Sequence, residues 1–439
     1  MIRRYRGQLE GSADTDAILN VDGQVRNSVP AATDFTDHPG VAVPVAAYRE
    51  ATQQLAEIGL THPYHLARTG RAGTTVTYPG HAPAINYAHF NYLDLAGDPR
   101  VRDAAKHAID EYGTSVSASR MVSGEIPLYQ ELEQLLAGTY GVDTAFITPS
   151  GYLTNAAVIA YLLGPSDIAV CDSYVHNSIV GGTQWAGCRR INFKHNDPES
   201  LETTLRMSRR SAKRALVIVE GHYSMDGDTP CLPDIISIAR RYDCSIMIDE
   251  AHSFGVLGAT GRGVREMFDL SAGDIDIWMG TLSKALGSVG GFVAGNQLLI
   301  DGLRYAAPGL SLYSTGPAPP VVGAALQALK VLLAEPDRVA RLQANAGYFH
   351  GKAMECGFDL GLSEGTPIVP VVIGDDLRAA SVSVALFYAG VNANALAHPI
   401  VPKGAARIRF FLNSEHTREQ IDSTIATLQN AFALHDLGS

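Results

Sequence analysis

A lysine and an aspartate–histidine pair are the residues of this chain whose types and spacing could carry out chemistry. Lys284 lies among serine, threonine and glycine in the segment Thr281–Gly287. Upstream, the apolar run Ile246–Ile248 ends at Asp249, with His252 shortly after it. A lysine amine can form a Schiff base with an aldehyde, and a carboxylate can keep a neighbouring ring nitrogen protonated. These residues therefore suit pyridoxal 5′-phosphate (PLP), with Lys284 as the Schiff-base lysine and Asp249 at the pyridine nitrogen.

PLP chemistry also needs a phosphate cradle and a group that stacks on the ring. Ser150, Gly151 and Tyr152 precede a helical stretch, and N–H groups at a helix N-terminus bind phosphate. On its own, such a segment is more often a plain turn between a strand and a helix. His176 could stack on the ring, although a lone histidine is more often structural, and Asp249 alone is more often a helix N-cap. The prediction rests on the combination.

The composition predicts a globular protein that binds neither nucleic acid nor an anionic membrane surface. The chain has 439 residues, enough for a large domain and a smaller one, and 46% of them are hydrophobic against 18% charged. The net charge is −11, from 34 basic and 45 acidic side chains. Phosphate groups are bound by clustered basic residues, which this balance argues against.

Cysteine usage and the absence of long apolar runs predict a cytoplasmic protein without a membrane span. The five cysteines form no C-x-x-C pair, so neither a disulfide framework nor a metal site is expected. The start of the chain has no apolar signal core. The run Ala156–Leu163 is too short to cross a bilayer.

Three regions are predicted along the chain. Residues 1–60 form an N-terminal extension, in which 1–43 have few large apolar side chains and Val45–Leu60 shows helical spacing. Residues 61–334 form a large PLP-binding domain, with 61–110 leading into it. Residues 335–439 form a small α+β domain.

The middle of the chain alternates short apolar runs with helical patterns, which indicates an α/β fold with a mainly parallel sheet. The predicted strands are Ala145–Thr148, Ile168–Cys171, Ala215–Glu220, Ser245–Asp249, Ile275–Met279 and Gly291–Ala294. Earlier helices are predicted over Val101–Tyr112 and from Pro127 to Tyr140. A last helix should begin at Thr417, where Gln420 completes a capping box, with a buried face formed by Ile421, Ile425, Leu428 and Phe432.

Taken together, the segments resemble the α-oxoamine synthase family of fold-type I PLP enzymes over roughly residues 60 to 432. The matching segments follow the family's order: Asn91–Leu93, Ser119–Gly124, Leu132–Glu133, Ser150–Tyr152 with Asn155, His176–Ser178, His195–Asp197, Ser224–Gly227, Asp249–His252, Gly261–Gly263, Thr281–Lys284, Tyr313–Thr315, and Val401–Gly404 with Arg407–Arg409. Each is weak alone, and their shared order is a strong signal.

The resemblance implies roles at the matching positions. Lys284 would hold PLP and act as the general base at the substrate Cα, and Asp249 would pair with the pyridine nitrogen. His176 would stack on the ring, and His252 and Ser224 would contact the phenolic oxygen side. His176 and His252 are also candidates for stabilising an oxyanion.

The resemblance also implies cofactor and substrate contacts elsewhere. Ser150, Gly151, Tyr152 and Thr281 would serve the phosphate, with Ser314 or Thr315 reaching over from the second subunit of a homodimer. Asn91, Ser119 and Arg409 would bind substrate, with Arg409 as the fork to its carboxylate. Arg407 and Arg409 fall on the same face by alternation, so only the resemblance selects Arg409.

Three departures from the family pattern leave the substrates open. Tyr129 stands where the family usually has histidine, and Phe90–Asp94 replaces the usual segment around the tyrosine. The segment Phe90–Asp94 is closer to serine palmitoyltransferases and to synthase domains of polyketide assembly lines, and Tyr112–Arg120 also resembles the assembly-line domains. A function in secondary metabolism is therefore one of the expectations.

The implied reaction is a decarboxylative Claisen-type condensation. A small α-amino acid and an acyl thioester, on CoA or an acyl carrier protein, would give an α-aminoketone, carbon dioxide and free thiol. One alternative is an aminotransferase of the same fold, disfavoured by His176–Ser178 and Ser224–Gly227. Another is a non-catalytic subunit, disfavoured by Lys284. Residues 1–43 are either a disordered tail or a carrier-protein contact.

Overall fold

The computed structural model describes residues 35–57, 61, 64 and 66–436. A first helix, α1 (Pro39–Glu57), belongs to a unit that ends at Leu66, and the chain from Ala67 onward forms a second unit. The predicted helix over Val45–Leu60 is confirmed as far as residue 57 and begins earlier, while residues 58–60 lie outside those described. No residue of α1 is buried. The predicted tail over residues 1–43 falls mostly outside the described residues.

The second unit alternates strands and helices, as the sequence predicts. Its strands are β1 (Thr75–Val76), β2 (Ala84–Asn86), β3 (Thr144–Thr148), β4 (Ile168–Asp172), β5 (Arg189–Phe193), β6 (Ala215–Glu220), β7 (Ser245–Asp249), β8 (Ile277–Thr281), β9 (Gly291–Gly295), β10 (Ile368–Gly374), β11 (Val391–Asn392), β12 (Asn394–Leu396) and β13 (Ala406–Phe411). Its helices are α2 (Pro99–Tyr112), α3 (Pro127–Tyr140), α4 (Gly151–Leu162), α5 (Asn177–Ala186), α6 (Pro198–Ser208), α7 (Leu232–Arg241), α8 (Val264–Met267), α9 (Gln297–Ala306), α10 (Pro319–Ala334), α11 (Asp337–Glu355), α12 (Asp376–Tyr388) and α13 (Arg418–Asp436).

A seven-stranded sheet positions the site. Its order is β3-β9-β8-β7-β6-β4-β5, and only β9 runs against the other strands. Every residue of β4, β6 and β8 is buried, because helices cover both faces of such a sheet. Along β6, Val217 and Val219 pack into one apolar cluster and Leu216 and Ile218 into another. The predicted mainly parallel α/β architecture is confirmed.

In the large sheet, one predicted strand begins later than expected and one strand was not predicted. The strand predicted over Ile275–Met279 begins at Ile277, because Ser271 and Asp274 form a capping box around a short turn and Asp276 uses its carboxylate to accept the Ile246 N–H. Strand β5 was missed because it is an edge strand with charged residues, in which only Phe193 is buried.

The sheet brings residues that are distant in sequence to one edge. Parallel strands end together at their carboxyl ends, and in the register of β6, β7 and β8 Glu220 lies opposite Asp249, which lies opposite Met279. Lys284 follows β8 on the same edge. Ligands bind at this edge in open α/β sheets.

A smaller antiparallel sheet, β10-β13-β12, lies in the C-terminal part of the chain. The capping box that begins α13 is confirmed, since Thr417 N–H donates to Gln420 Oε1 at 3.0 Å and Gln420 N–H donates to Thr417 Oγ1 at 3.2 Å. Ile421, Ile425 and Leu428 are buried as predicted, whereas Phe432, near the end of the helix, is only partly buried against the same apolar cluster. The predicted domain boundary after residue 334, where α10 ends, stays a prediction.

Within the described residues, no helix is long and apolar enough to cross a membrane.

Candidate active site

A cavity of about 270 Å³ opens at the carboxyl edge of the large sheet. It collects most of the cofactor residues predicted from the sequence: Ser150, Gly151, Tyr152, His176, Asp249, His252, Thr281 and Lys284. It also includes Asn155, Ser178 and Glu220, to which the sequence assigned no role. The predicted residues thus converge, although their individual roles stay predictions.

Lys284 carries an amine that loses its proton more readily than an ordinary lysine. Burial lowers its pKa from 10.5 to about 8, outweighing the opposite influence of Asp249 and Glu220, and the nearby Arg409 lowers it further. The Nζ atom lies 5.8 Å from the ring centroid of Phe90. A lysine with this pKa is partly unprotonated near neutral pH and can act as a nucleophile or a base.

Asp249 is held by two hydrogen bonds and linked to His176 through side chains. Its Oδ1 accepts the Ala251 N–H at 2.9 Å, and its Oδ2 accepts from Asn155 Nδ2 at 2.7 Å. Asn155 Nδ2 also lies 2.9 Å from Ser178 Oγ, which is 2.8 Å from His176 Nδ1. This chain of contacts fixes the acid and the imidazole relative to each other.

His176 is open to the cavity, yet surrounding protein lowers its pKa. Partial desolvation lowers the pKa most, Asp249 opposes it, and Lys284 adds to the lowering. Nδ1 accepts the Ser178 N–H at 3.2 Å and caps α5. Because Nδ1 is an acceptor, the neutral ring carries its proton on Nε2.

His252 is a buried, neutral imidazole with its tautomer set by Tyr92. Burial lowers its pKa well below the ordinary value, and Lys284 contributes to the lowering. Tyr92 Oη lies 2.8 Å from His252 Nδ1, and burial raises the pKa of Tyr92, so the phenol remains protonated and can donate. Donation to Nδ1 leaves the proton of His252 on Nε2.

Glu220 is a second buried acid in the cavity wall. Burial raises its pKa well above the usual range and Asp249 raises it further, while the nearby Lys284 opposes them, so the protonated carboxyl is favoured. Its Oε1 has no hydrogen-bond partner in the described part of the chain. Glu220 could have been predicted as a site residue from the sequence, because, like Asp249, it is an acid that ends an apolar strand.

The beginning of α4 forms a cradle for an anion. Ser150 is its N-cap, with Leu153 N–H 3.5 Å from Ser150 Oγ, and the first amides of a helix have no intrahelical acceptor. A Cβ added at Gly151 would lie 3.0 Å from Thr281 Oγ1, so glycine allows this close approach. Thr281 Oγ1 in turn lies 2.7 Å from Ser283 Oγ. A phosphate group fits these donors.

His195, from a matching segment, supports the loop that carries His176. Burial alone would lower its pKa, but hydrogen bonds to Asp172 at 2.8 Å and Asp228 at 2.9 Å raise the pKa to about 9. Its ring stacks on Tyr174 with centroids 4.1 Å apart. His195 therefore bridges the end of β4 and the loop after Ser224–Gly227.

The other predicted site residues do not line this cavity within one chain: Asn91, Ser119, Ser224, Ser314, Thr315 and Arg409. The amide of Asn91 is engaged by Ala72 O at 2.9 Å, Asp94 Oδ1 at 3.1 Å and Ala96 N–H at 3.2 Å. Ser224 lines a second cavity, which shares His176 with this one. Their proposed contacts with cofactor or substrate stay predictions.

The residues of the cavity fit PLP. They offer an amine of lowered pKa, a carboxylate held by two donors, and a helix N-terminus for phosphate. Two buried oxygens that face no partner among the described residues, Asn155 Oδ1 and Glu220 Oε1, complete the polar lining. Fold and site together define a fold-type I PLP-dependent enzyme.

Comparisons with known proteins narrow this class. Residues 83–428 match the family described as aminotransferase class I and II. An 8-amino-7-oxononanoate synthase from Fervidobacterium nodosum is 41% identical over 341 residues, covering 77% of this chain and 86% of that protein.

Solved serine palmitoyltransferases have the same fold. The structure from Sphingomonas wittichii is 29% identical, covers 92% of this chain and 99% of its own, and has a TM-score of 0.85. One from S. paucimobilis, with bound PLP–myriocin aldimine, is 30% identical, covers 90% of this chain and 100% of its own, and has a TM-score of 0.84. The chain belongs to the aminotransferase class I and II family, as a PLP-dependent α-oxoamine synthase.

We predict that cofactor-free protein captures PLP faster as the pH rises through about 8. The reactive form of Lys284 is the free amine, which is scarce below its pKa of about 8 and dominant above it. Stopped-flow absorbance of Schiff-base formation measures the rate at each pH. Lys284→Ala should give no such absorbance, and Lys213→Ala, which removes an exposed lysine, should leave the profile unchanged. A midpoint near the ordinary lysine value of 10.5 would contradict the burial effect.

Proposed function

We propose that the protein joins a small α-amino acid to an acyl thioester and releases an α-aminoketone, carbon dioxide and free thiol. The observation that carries this proposal is the placement of Lys284, Asp249 and two neutral imidazoles in one cavity of an α-oxoamine synthase. The relatives named 8-amino-7-oxononanoate synthase support it, because that name denotes a product with an amino group beside a ketone.

The reaction balances without an oxidant or a reductant. The amino acid loses its Cα proton, a carbon–carbon bond forms to the thioester carbonyl, and the thiol leaves. The carboxylate then leaves as carbon dioxide, and a proton returns to Cα. PLP supplies the electron sink for the electrons left at Cα, and Lys284 is the base that removes and returns the proton.

His176 and His252 supply hydrogen-bond donors at the reacting end of the site. Both are neutral, and both have Nδ1 occupied as an acceptor, so each can present an Nε2–H. A neutral N–H donor can stabilise a developing oxyanion without a change of protonation state. We assign this role to His176 for the thioester carbonyl and a cofactor contact to His252.

Arg409 is the better candidate for the substrate carboxylate. Arg407, on the same face of β13, is already paired with Asp226. Among the residues that the structure describes, Arg409 has no carboxylate within ion-pair distance. Its Nη1 donates to Ser224 O at 2.6 Å, and its guanidinium lies 4.4 Å from the ring centroid of Phe411. Burial lowers the pKa of Arg409 to about 10, and a carboxylate would compensate this cation.

We further propose a cytoplasmic homodimer in which the second copy supplies Ser314 or Thr315 to the phosphate. Support comes from the neighbouring Tyr313, which is 83% exposed and adopts a left-handed backbone with a φ of 64°. Asn91 and Ser119 keep their proposed substrate contacts on the resemblance alone.

An assay with amino acid and acyl-CoA tests the reaction class. We expect free thiol, measured with a chromogenic disulfide, and carbon dioxide from carboxyl-labelled amino acid to appear in equal amounts. Lys284→Ala should abolish both, because the base and the covalent anchor are lost together. Transfer of the amino group to a keto acid without thiol release would instead support an aminotransferase.

Arg409→Lys should raise the KM for the amino acid about ten- to hundredfold, because a hydrogen bond to a charged group is worth about 1.5–3 kcal/mol and lysine cannot form the planar fork. The KM for the thioester should change little. The matched control is Arg407→Lys, which retains a cation beside Asp226 and should leave the amino-acid KM near the wild-type value. The reverse pattern would transfer the role to Arg407.

A further inference from the structure

A second, larger cavity adjoins the cofactor cavity. It has a volume of about 720 Å³ and shares His176 with the first. Its walls come from the loop and helix after β4, the Ser224–Gly227 segment, and the segment from His398 to Arg407. This volume is in the range of small-molecule sites, and the shared imidazole places the cavity beside the proposed place of reaction.

Much of the lining is hydrocarbon. Val175 and Val180 lie on one side, Met225 on another, and Ile400 and Val401 on the third. Val401 is buried, whereas Ile400 is 60% exposed, so the apolar surface extends from the interior to solvent. A flexible methionine beside branched residues adapts to alkyl chains.

The charges in the lining cancel. Besides histidines, two acidic or basic side chains line the cavity within the described residues, Arg407 and Asp226, and they form an ion pair with each other. Arg407 also donates to Met225 O at 3.0 Å and to Ala405 O at 3.1 Å. Both side chains are mostly buried. The remaining imidazole besides His176, that of His398, belongs to an exposed residue.

We propose that this cavity binds the acyl chain of the thioester and selects an uncharged hydrocarbon chain over one that ends in a carboxylate. The inference rests on the proposed function and extends it to the substrate class. A terminal carboxylate would meet a cation already neutralised by Asp226 and would lie close to that carboxylate, which is unfavourable in a partly desolvated site. The relatives named 8-amino-7-oxononanoate synthase make a product with a carboxylate at the far end, as the name states. This chain is thus expected to differ from them in its donor.

The test compares matched acyl-CoA donors in the thiol-release assay. The set runs from acetyl to octanoyl, alongside donors of equal length that end in a carboxylate. We expect kcat/KM to rise with chain length by up to about fourfold per methylene, and each carboxylate-ended donor to fall at least about tenfold below its uncharged match. A preference for carboxylate-ended donors would overturn the proposal.

Two variants test the cavity itself. Val180→Phe fills it from α5 and should lower kcat/KM progressively as the chain lengthens, with little effect on acetyl-CoA. Val45→Phe, on the exposed face of α1, is the matched control. Asp226→Asn removes the carboxylate that neutralises Arg407. It should reduce the difference in kcat/KM between uncharged donors and carboxylate-ended donors of equal length. Retained cofactor absorbance and thermal midpoint show that both variants are folded.

The outcomes separate this inference from the proposed function. An equal loss with every donor in Val180→Phe would place the thiol arm in the cavity and overturn the acyl assignment. No effect of Val180→Phe with any donor would also overturn it. If holoenzyme releases no thiol with any donor, the proposed function itself fails.

Discussion

The parallel register of β6, β7 and β8 is the constraint on which the site depends. It brings Glu220, Asp249 and the segment that carries Lys284 to one edge of the sheet. A slip of one residue would turn each strand-end side chain to the other face. The strands are specified by continuous buried runs packed on both sides, so the geometry of the cavity follows from the core.

The two acids at this edge, Glu220 and Asp249, lie side by side but differ in their hydrogen bonding. Asp249 accepts two hydrogen bonds, from Asn155 and from the backbone of Ala251. Glu220 has an oxygen without a partner among the described residues, and burial raises its pKa well above the usual range. An acid that accepts two hydrogen bonds, an acid whose raised pKa favours its neutral form, and an amine of lowered pKa together give a site that can hold a protonated ring nitrogen.

Much of this was predictable from the sequence, because strand ends and helix starts have local signals. The apolar run before Asp249 and the small residues around Gly151 predicted their positions. Asn155 was part of a segment that matches the family but was given no role, since its bond to Asp249 depends on how the helix lies on the sheet. Alternation put Arg407 and Arg409 on one face, so from the sequence only the resemblance selected Arg409; the ion pair between Arg407 and Asp226, which no local pattern predicts, supports the same choice. The second cavity joins three distant segments and leaves no local pattern.

Exchange of the amino acid's Cα proton with deuterated solvent tests the central assignment most directly. Measured by NMR on holoenzyme without thioester, it reports the step in which we propose that Asp249 and Lys284 act, apart from condensation. We predict that Asp249→Asn protein, with PLP still bound, exchanges this proton far more slowly than the wild type. Glu220→Gln should retain most of the rate, because it replaces a carboxyl that is already neutral. An undiminished exchange rate in Asp249→Asn would contradict the assignment of Asp249 to the cofactor's ring nitrogen.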